Sequence, residues 1–310
     1  MKKVLIVDNV HEVLISNFET AGYKCHYFPD FENEDVLKVI HKYSGIIINS
    51  KTQIFKTQID KAIKLEFIGR LGSGMEIIDV PYAESKGIKC FSVPEANKDA
   101  VAEHALGMLL SLLNNLNSAD KEVRNFIWER EKNRGIELGG KTVGIIGYGN
   151  TGKAFAKKLS GFGVRVLAYD KYLTNFSDEY VKEATMQNIF EETDILSLHL
   201  PLTAETYFLC NADFVQKFKR NIFLINTARG KLINLENILF LLKSKKILGL
   251  GLDVFENEKP ITFSDEEKSM YKKIYTLDSV ILSPHIAGWT NESKYKIGNL
   301  LSEKIISYCK

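Results

Sequence analysis

Cysteine and proline are scarce in this chain of 310 residues. The four cysteines form no CxxC pair, so we expect neither a disulfide framework nor a metal site. The six prolines form no proline-rich linker. After Lys2 and Lys3 only four apolar residues precede Asp8, which is too few for a secretory signal or a membrane span. We therefore expect a cytoplasmic protein.

Neither sign of charge dominates, because 41 Lys and Arg residues face 39 Asp and Glu residues, a net charge of +2. That balance provides no broad positive field, so it argues against a nucleic-acid or membrane partner and favours a small-molecule ligand captured locally. Hydrophobic residues make up 45% and charged residues 26%, as in ordinary globular proteins. At roughly 150 residues per domain, the length favours two domains.

Short β-branched runs recur along the chain, each followed by a break and then by apolar residues at helical spacing. This alternation predicts parallel βαβ units. The runs are 4–7, 45–48, 142–146 and 165–169, followed by the almost wholly apolar 195–198, 222–225, 248–252 and 280–282. A long buried helix is predicted over 100–116, and helical spacing at 292–307 could return the chain to the first domain. We therefore expect one domain from 1–98 with 289–310, and a second from 99–288.

A glycine pattern follows the run at 142–146, where Gly147, Gly149 and Gly152 form GxGxxG at the opening of a predicted helix. The first glycine permits a tight turn, the second allows a pyrophosphate to approach the backbone, and the third allows helix and strand to pack closely. A glycine turn between strand and helix can also exist without a ligand. Here the next predicted strand ends at Asp170, where the ribose hydroxyls of a dinucleotide would lie.

The acidic residue Asp170 favours NAD over NADP. A carboxylate accepts a hydrogen bond from the ribose 2′-hydroxyl and repels a 2′-phosphate. The adjacent Lys171 is the main argument against this preference. A solvated residue at a strand end is the plainer alternative for Asp170.

Three further polar segments follow predicted strands, at the edge where open α/β sheets bind ligands. They are NTARG at 226–230, DVFENE at 253–258 and SPHIAG at 283–288. Their Arg229, Glu258 and His285 suit hydride exchange at a hydroxyl carbon beside a carboxylate. The histidine would exchange the hydroxyl proton, the glutamate would fix its tautomer and favour the imidazolium, and the arginine would bind carboxylate and carbonyl oxygens.

Each of these three residues also has a plainer interpretation. Arg229 could form a surface ion pair, Glu258 could be one of several solvated acids, and His285 could be a structural histidine behind Pro284. Their common position at strand ends, downstream of the glycine pattern, favours the catalytic interpretation.

These residues resemble the D-isomer specific 2-hydroxyacid dehydrogenase family, particularly its short phosphoglycerate dehydrogenase-like members. The strings HLPLTAET at 199–206, INTARGKLIN at 225–234, GLDVFENE at 251–258 and SPHIAGWT at 283–290 follow the family's order. The resemblance implies an α/β fold with a doubly wound parallel-sheet Rossmann cofactor domain and a smaller flavodoxin-like α/β substrate domain, separated by a cleft. It also implies NAD as cofactor, and Arg229, Glu258 and His285 as the catalytic residues.

The cofactor contacts expected from the pattern and the resemblance extend beyond the glycines. They are Gly147, Gly149, Asn150, Thr151, Gly152, Asp170, His199, Pro201, Thr206, Thr227, Ala228, Asp253, His285 and Gly288. Among them, Thr227 and Asp253 would lie on the nicotinamide side.

The substrate contacts are expected mainly in the first domain. They are Asn49, Lys51, Ser73, Gly74, Asn97, Arg229 and Trp289. The resemblance implies that the amides of Ser73 and Gly74 receive the substrate carboxylate, although a simple strand-to-helix turn is the alternative. Glu103 and His104 are interpreted as structural or interdomain residues rather than catalytic ones.

Two departures from the family pattern concern the substrate. Asn49 stands where relatives that bind phosphorylated substrates often carry arginine, and Lys51 could supply only a point charge. Trp289 replaces a small residue after the histidine turn. The first choice of substrate is D-3-phosphoglycerate, oxidised to 3-phosphohydroxypyruvate in serine biosynthesis. Asn49 argues against it, and glyoxylate, hydroxypyruvate or another 2-oxoacid is the alternative.

The resemblance also implies a homodimer joined through the cofactor domains, with the 100–116 helix near the interface. Because the chain stops at 310, we expect no regulatory C-terminal domains of the kind that longer relatives carry. A non-catalytic NAD-sensing corepressor is the alternative function, although such a protein need not keep Arg229, Glu258 and His285 together.

Overall fold

The structure, a computed structural model, describes residues 1–309 and divides into two compact units. The first unit combines Met1–Asn97 with the segment that begins at Trp289, and the second is Lys98–Gly288. No helix within residues 1–309 has the length and apolar character needed to cross a membrane.

The first unit is built on a five-stranded parallel sheet within the described residues. Its elements are β1 (Lys3–Ile6), α1 (Glu12–Thr20), β2 (Lys24–Tyr27), α2 (Asn33–Val39), β3 (Gly45–Ile48), α3 (Lys56–Lys61), β4 (Phe67–Arg70), α4 (Val80–Ser85) and β5 (Lys89–Phe91). The strand order β2-β1-β3-β4-β5 is the flavodoxin-like order. The central strands β1 and β3 are apolar because helices cover both faces of such a sheet.

The second unit contains a parallel sheet that has seven strands in the described part of the chain. Its elements are α5 (Lys98–Leu113), α6 (Leu116–Arg124), β6 (Thr142–Ile146), α7 (Asn150–Leu159), β7 (Arg165–Tyr169), β8 (Lys182–Glu183), α8 (Met186–Glu192), β9 (Ile195–Leu198), α9 (Ala212–Gln216), β10 (Ile222–Asn226), α10 (Leu235–Lys243), β11 (Ile247–Leu252), α11 (Asp265–Tyr275) and β12 (Val280–Leu282).

The strand order of this second sheet is β12-β11-β10-β9-β6-β7-β8. If β6 is counted as the first strand, the order from β8 to β11 is 3-2-1-4-5-6, which is the doubly wound Rossmann order. β12 adds a seventh strand next to β11. The order reverses between β6 and β9. In such sheets ligands bind beyond the carboxyl ends of the strands at this reversal, which is where the glycine turn after β6 lies.

Helix α12 (Asn291–Cys309) belongs to the first unit, where it packs against α1. A Cβ atom on Gly298 would lie 3.3 Å from Val13, so this glycine allows the two helices to approach closely. Asn17 on α1 donates hydrogen bonds to Asn299 at 3.1 Å and to Ser302 at 2.9 Å. The predicted helix at 292–307 therefore forms and completes the core of the first unit.

The long helix predicted over 100–116 differs slightly from the one observed. α5 begins at Lys98 and ends at Leu113, and α6 follows after Asn115, whose backbone is left-handed with a φ of 51°. Asparagine tolerates that conformation better than most residues, which explains the break. Buried side chains of α5, including Ala105 and Leu109, pack within the core of the second unit.

Candidate active site

The glycine turn after β6 is shaped partly by the protein's own packing. Gly147 has a φ of +93°, and a Cβ atom there would lie 2.3 Å from the carbonyl oxygen of His199. A Cβ atom on Gly152 would lie 2.2 Å from the carbonyl oxygen of Gly147. Both positions therefore require glycine for steric reasons.

Gly149 has no such reason within the protein. Its φ of −78° suits any residue, and no described atom outside the adjoining chain lies within 4 Å of an added Cβ. The backbone here is open to approach, directly before the N-terminus of α7, whose first residues are Asn150 and Thr151. An open backbone beside unpaired helix amides suits the pyrophosphate of a dinucleotide.

Asp170 is held at the end of β7 by three backbone N–H groups. Its Oδ2 accepts from Tyr148 at 2.8 Å, and its Oδ1 accepts from Tyr172 at 2.9 Å and from Leu173 at 3.1 Å. Burial opposes ionisation of this carboxyl, but the three hydrogen bonds outweigh burial and hold its pKa below the usual value. A negative charge is therefore fixed next to the glycine turn.

Lys171, the residue after Asp170, forms an ion pair with Glu205. Its Nζ lies 2.6 Å from Oε2 of Glu205, and this hydrogen bond raises the pKa of the lysine. Glu205 lies in the loop after β9, where Thr206 donates to the carbonyl of Pro201 at 2.7 Å. Lys171, whose charge is the argument for NADP, therefore forms an ion pair with Glu205.

His199 has a buried side chain whose Nε2 lies 2.9 Å from Oγ of Ser197. Burial lowers the pKa of His199 to about 4, so the ring is neutral at physiological pH. Its carbonyl packs against Gly147. The side chain of this expected cofactor residue thus belongs to the core, and its backbone borders the glycine turn.

Glu258 and His285 form a direct hydrogen bond, with Oε2 of Glu258 2.8 Å from Nδ1 of His285. Burial opposes ionisation of Glu258, but the bond from His285, the N–H of Phe255 and the charge of Arg229 together hold its pKa below the usual value. A carboxylate can only accept, so the proton of this bond resides on Nδ1 and the other ring nitrogen remains for a ligand.

Arg229 follows β10 in a turn stabilised by Asn226, which donates to the Arg229 carbonyl at 2.9 Å and accepts from the N–H of Ala228 at 3.1 Å. A Cβ atom on Gly230 would lie 1.9 Å from the carbonyl oxygen of Phe255. This close contact brings the segments after β10 and β11 together. The guanidinium is thereby near enough to Glu258 for its charge to favour the carboxylate.

His285 adopts a left-handed backbone conformation with a φ of 57°, which costs roughly 1–2 kcal/mol for a residue with a side chain. Asp253 holds this turn. Its carbonyl accepts from the N–H of His285 at 2.7 Å, and its carboxylate accepts from those of Ile286 and Ala287, both at 2.8 Å. Asp253 was expected beside the nicotinamide. Here its fully buried carboxylate is part of the histidine turn.

Two expected substrate residues in the first unit are engaged by their own neighbours. The N–H of Asn49 donates to Oδ2 of Asp8 at 2.6 Å, and Nζ of Lys51 donates to the carbonyl of Pro29. Asp8 is 8% exposed, and burial raises its pKa despite that bond and the charges of Lys51 and Arg70. Sequence reasoning missed Asp8, although its place directly after the first strand was a usable signal.

The remaining expected residues of the first unit lie at the ends of its segments or in its glycine loop. Ser73 is exposed and Gly74 is buried in the loop after β4. Asn97 is half-buried at the end of the first segment, and Trp289, at the start of the second, has 71% of its surface exposed.

Residues 106–287 match the family model described as the NAD-binding domain of D-isomer specific 2-hydroxyacid dehydrogenases. The chain belongs to this family. The expected family, fold class and NAD cofactor are therefore confirmed, and this dehydrogenase is an oxidoreductase that acts on a CH–OH group.

Known relatives of this dehydrogenase have different activities in their names. A hydroxypyruvate reductase from Thermotoga maritima is 36% identical over 276 residues, which cover 88% of this chain and 87% of that protein. A D-3-phosphoglycerate dehydrogenase from Archaeoglobus fulgidus is 31% identical over 99% of this chain, but this match spans only 57% of that longer protein. The structure of D-lactate dehydrogenase from Aquifex aeolicus, complexed with NAD and lactic acid, superimposes with a TM-score of 0.85 at 25% identity, covering 99% of this chain and 95% of that one.

The residues of the dehydrogenase fit the family's cofactor. Gly149 leaves the backbone open in front of α7, and the fixed charge of Asp170 lies beside it. At the end of β10, the buried hydroxyl of Thr227 has no hydrogen-bond partner in the described part of the chain. A buried hydroxyl without a partner is costly, so a ligand group that bonds to it would remove this cost.

Proposed function

We propose that this dehydrogenase interconverts short, unphosphorylated 2-oxoacids and D-2-hydroxyacids, with hydroxypyruvate or glyoxylate as the substrate to be reduced. The observation that supports a catalytic role most directly is the hydrogen bond between Glu258 and His285, with the charge of Arg229 nearby. This group lies in the unit that has the Rossmann strand order.

Each of the three side chains has a distinct role in this proposal. His285 gives a proton to the substrate oxygen during reduction and takes it back during oxidation, a step that typically contributes about 10² to 10⁴ in rate. Glu258 holds the ring in the required tautomer and stabilises its imidazolium. Arg229 binds the carboxylate and the carbonyl oxygen, at about 1.5–3 kcal/mol for each charge-assisted bond. Bound NAD supplies the nicotinamide ring that exchanges the hydride.

Gly147, Gly149 and Gly152, with the amides of Asn150 and Thr151, would hold the cofactor pyrophosphate, and Asp170 would accept from the ribose. Thr227 is the proposed contact on the nicotinamide side. In the first unit, the amides of Ser73 and Gly74 would receive the substrate carboxylate.

The absence of a phosphate group in the proposed substrate is supported by charge. The backbone N–H of Asn49 donates to the buried Asp8, and the charge of Lys51 acts on the same carboxyl group, so an acidic side chain already lies beside the residues expected to meet a phosphate. The 36% identity to a protein named hydroxypyruvate reductase agrees with this choice. The second candidate is D-3-phosphoglycerate, the first choice from the sequence, which the Archaeoglobus relative favours.

A spectrophotometric assay of NADH oxidation tests this proposal with hydroxypyruvate, glyoxylate, pyruvate and 3-phosphohydroxypyruvate. We expect the highest kcat/KM with an unphosphorylated acid. A higher value with 3-phosphohydroxypyruvate would favour the second candidate. NADH binding without turnover of any 2-oxoacid would contradict the enzyme proposal and favour the corepressor alternative.

We also propose that two copies associate through the second unit. Large apolar side chains are exposed along α6 and the segment that follows it. They are Leu116, Val123, Phe126, Ile127, Trp128 and Ile136. Several large apolar side chains exposed within one segment, three of them consecutive at 126–128, favour a protein interface, and the family expectation of a homodimer makes a second copy the proposed occupant. Eight of the sixteen residues of α5, the helix expected near the interface, are buried, whereas α6 has no buried residue, so α6 and the segment after it are the better candidates.

A further inference from the structure

A series of hydrogen-bonded side chains, which the proposed mechanism does not use, connects helix α5 to the turn that contains His285. Nε2 of His104, on α5, lies 2.8 Å from Oγ of Ser283, and that Oγ lies 2.6 Å from Oδ1 of Asp253. Nε2 of His104 is also 3.6 Å from the same carboxylate oxygen. All these residues belong to the second unit.

The directions of these hydrogen bonds follow from Asp253. Its side-chain oxygens accept from the N–H groups of Ile286 and Ala287, and the hydroxyl of Ser283 donates to its Oδ1. The oxygen of Ser283 is then the acceptor for His104, which places a proton on Nε2 of that ring. Each donor in this hydrogen-bonded series therefore points the same way, from His104 to Ser283 and from Ser283 to Asp253.

Asp253, the last residue of this hydrogen-bonded series, determines where His285 lies. Asp253 accepts from the N–H groups of His285, Ile286 and Ala287, and Pro284 restricts the backbone of Ser283. If the carboxylate rotates, it loses its bonds to Ile286 and Ala287, the two residues that follow the left-handed His285. The imidazole of His285 would then no longer be fixed relative to Glu258.

We propose that His104 and Ser283 are positioning residues for the proposed proton-transfer residue His285, acting through Asp253. This inference rests on the proposed function. It assigns His104 a role within its own unit, where the sequence had favoured only a structural or interdomain one. Neither residue needs to touch the substrate or the cofactor.

The test compares Ser283→Ala with Ser283→Thr, and His104→Phe with His104→Gln, using hydroxypyruvate and NADH. The Ala variant should lower kcat about tenfold, because one hydrogen bond to a charged group is lost. The Thr variant keeps the hydroxyl and should recover most of kcat. The Phe variant should lower kcat less, and the Gln variant, whose amide can donate, should restore it. The Kd of NADH, measured by fluorescence, should change less than about twofold in all four variants.

The double variant Ser283→Ala with His104→Phe tests the order of the chain. If His104 acts only through Ser283, the double variant should have the kcat of Ser283→Ala alone, because residues in one network are not additive. Multiplied losses would overturn the inference. Wild-type kcat in both Ser283→Ala and His104→Phe would also overturn the inference, but it would leave the proposed function intact. If the wild-type protein turned over no 2-oxoacid, the inference and the proposed function would both be overturned.

The melting temperature of each variant separates positioning from unfolding. If Ser283→Ala does not fold, the His104 pair decides, because that side chain is 25% exposed and tolerates replacement more readily. Equal kcat in His104→Phe, His104→Gln and the wild type would then overturn the inference, and loss with recovery would support it.

Discussion

Oε2 of Glu258 lies 2.8 Å from Nδ1 of His285, although 27 positions separate the two residues in the chain. The contact exists because β11 and β12 are parallel neighbours, so the segments that follow them leave the sheet at the same edge. It fixes a proton on Nδ1 and depends on the negative charge of Glu258, whose pKa is below its usual value. This pair is the feature of the protein on which the proposed chemistry depends.

Replacing His285 with alanine should lower kcat at least about a hundredfold, because the proton donor is removed. The Kd of NADH should stay nearly unchanged. Glu258→Gln is the matched variant, since its amide oxygen still accepts from Nδ1 but no longer stabilises the imidazolium, and it should lose less activity than His285→Ala. Steady-state kinetics with NADH titrations measure both effects. Unaltered turnover in His285→Ala would remove this residue from the mechanism.

Two glycines of the same turn should respond in opposite ways to alanine. Gly149→Ala should fold with wild-type stability but bind NADH more weakly, because its Cβ enters space that the protein leaves open. Gly152→Ala should lower stability, because its Cβ would lie 2.2 Å from the carbonyl oxygen of Gly147. Thermal unfolding and NADH titration of both variants test this. Normal NADH affinity in a folded Gly149→Ala protein would contradict the pyrophosphate assignment.

The sequence predicted the glycine turn and the strand ends because these depend on local patterns. Gly147, Asp170 and His285 each follow an apolar run that forms a strand. It could not predict which side chains these residues contact. The bond of Asp8 to Asn49 spans 41 positions, and that of Lys171 to Glu205 spans 34. The role of Asp253 depends on the left-handed conformation of His285, which is uncommon for any residue with a side chain and therefore was not expected.

The ion pair of Lys171 and Glu205 should affect the choice between NADH and NADPH. Glu205→Gln releases the lysine, which could then attract a 2′-phosphate, so kcat/KM with NADPH should rise relative to NADH. Lys171→Ala in the same background should reverse the gain.

Asp170→Ala should weaken NAD binding more than NADP binding, and equal loss of both cofactors would contradict the ribose assignment.

The exposed segment after α6 should control the oligomeric state. Replacing both Phe126 and Trp128 with serine should convert a dimer into monomers, because these side chains are 98% and 76% exposed in the single chain. Ile261→Ser is the matched control, since Ile261 is equally exposed but lies outside this segment. Light scattering after size-exclusion chromatography gives the mass. A wild-type monomer, or a dimer that survives both serine substitutions, would contradict this interface.

Asp8→Asn should make the protein more stable at neutral pH. Burial raises the pKa of Asp8, so between its unfolded and folded values the native state binds more protons than the unfolded state, and stability falls as pH rises through this range. The asparagine carries no charge and retains an oxygen to accept from the N–H of Asn49. Its advantage should therefore be full at neutral pH and disappear in buffers well below about pH 4.

The same substitution also tests the exclusion of phosphate. With the carboxylate removed, Lys51 and Arg70 are no longer opposed by Asp8, so kcat/KM with 3-phosphohydroxypyruvate should rise relative to hydroxypyruvate. Lys51→Ala in the Asp8→Asn background should abolish that rise. Urea unfolding at several pH values measures the stability, and NADH oxidation measures the preference. A pH-independent stability difference would show that the effect is due to packing and not to the charge of Asp8, and an unchanged substrate preference would remove Asp8 as a determinant of specificity.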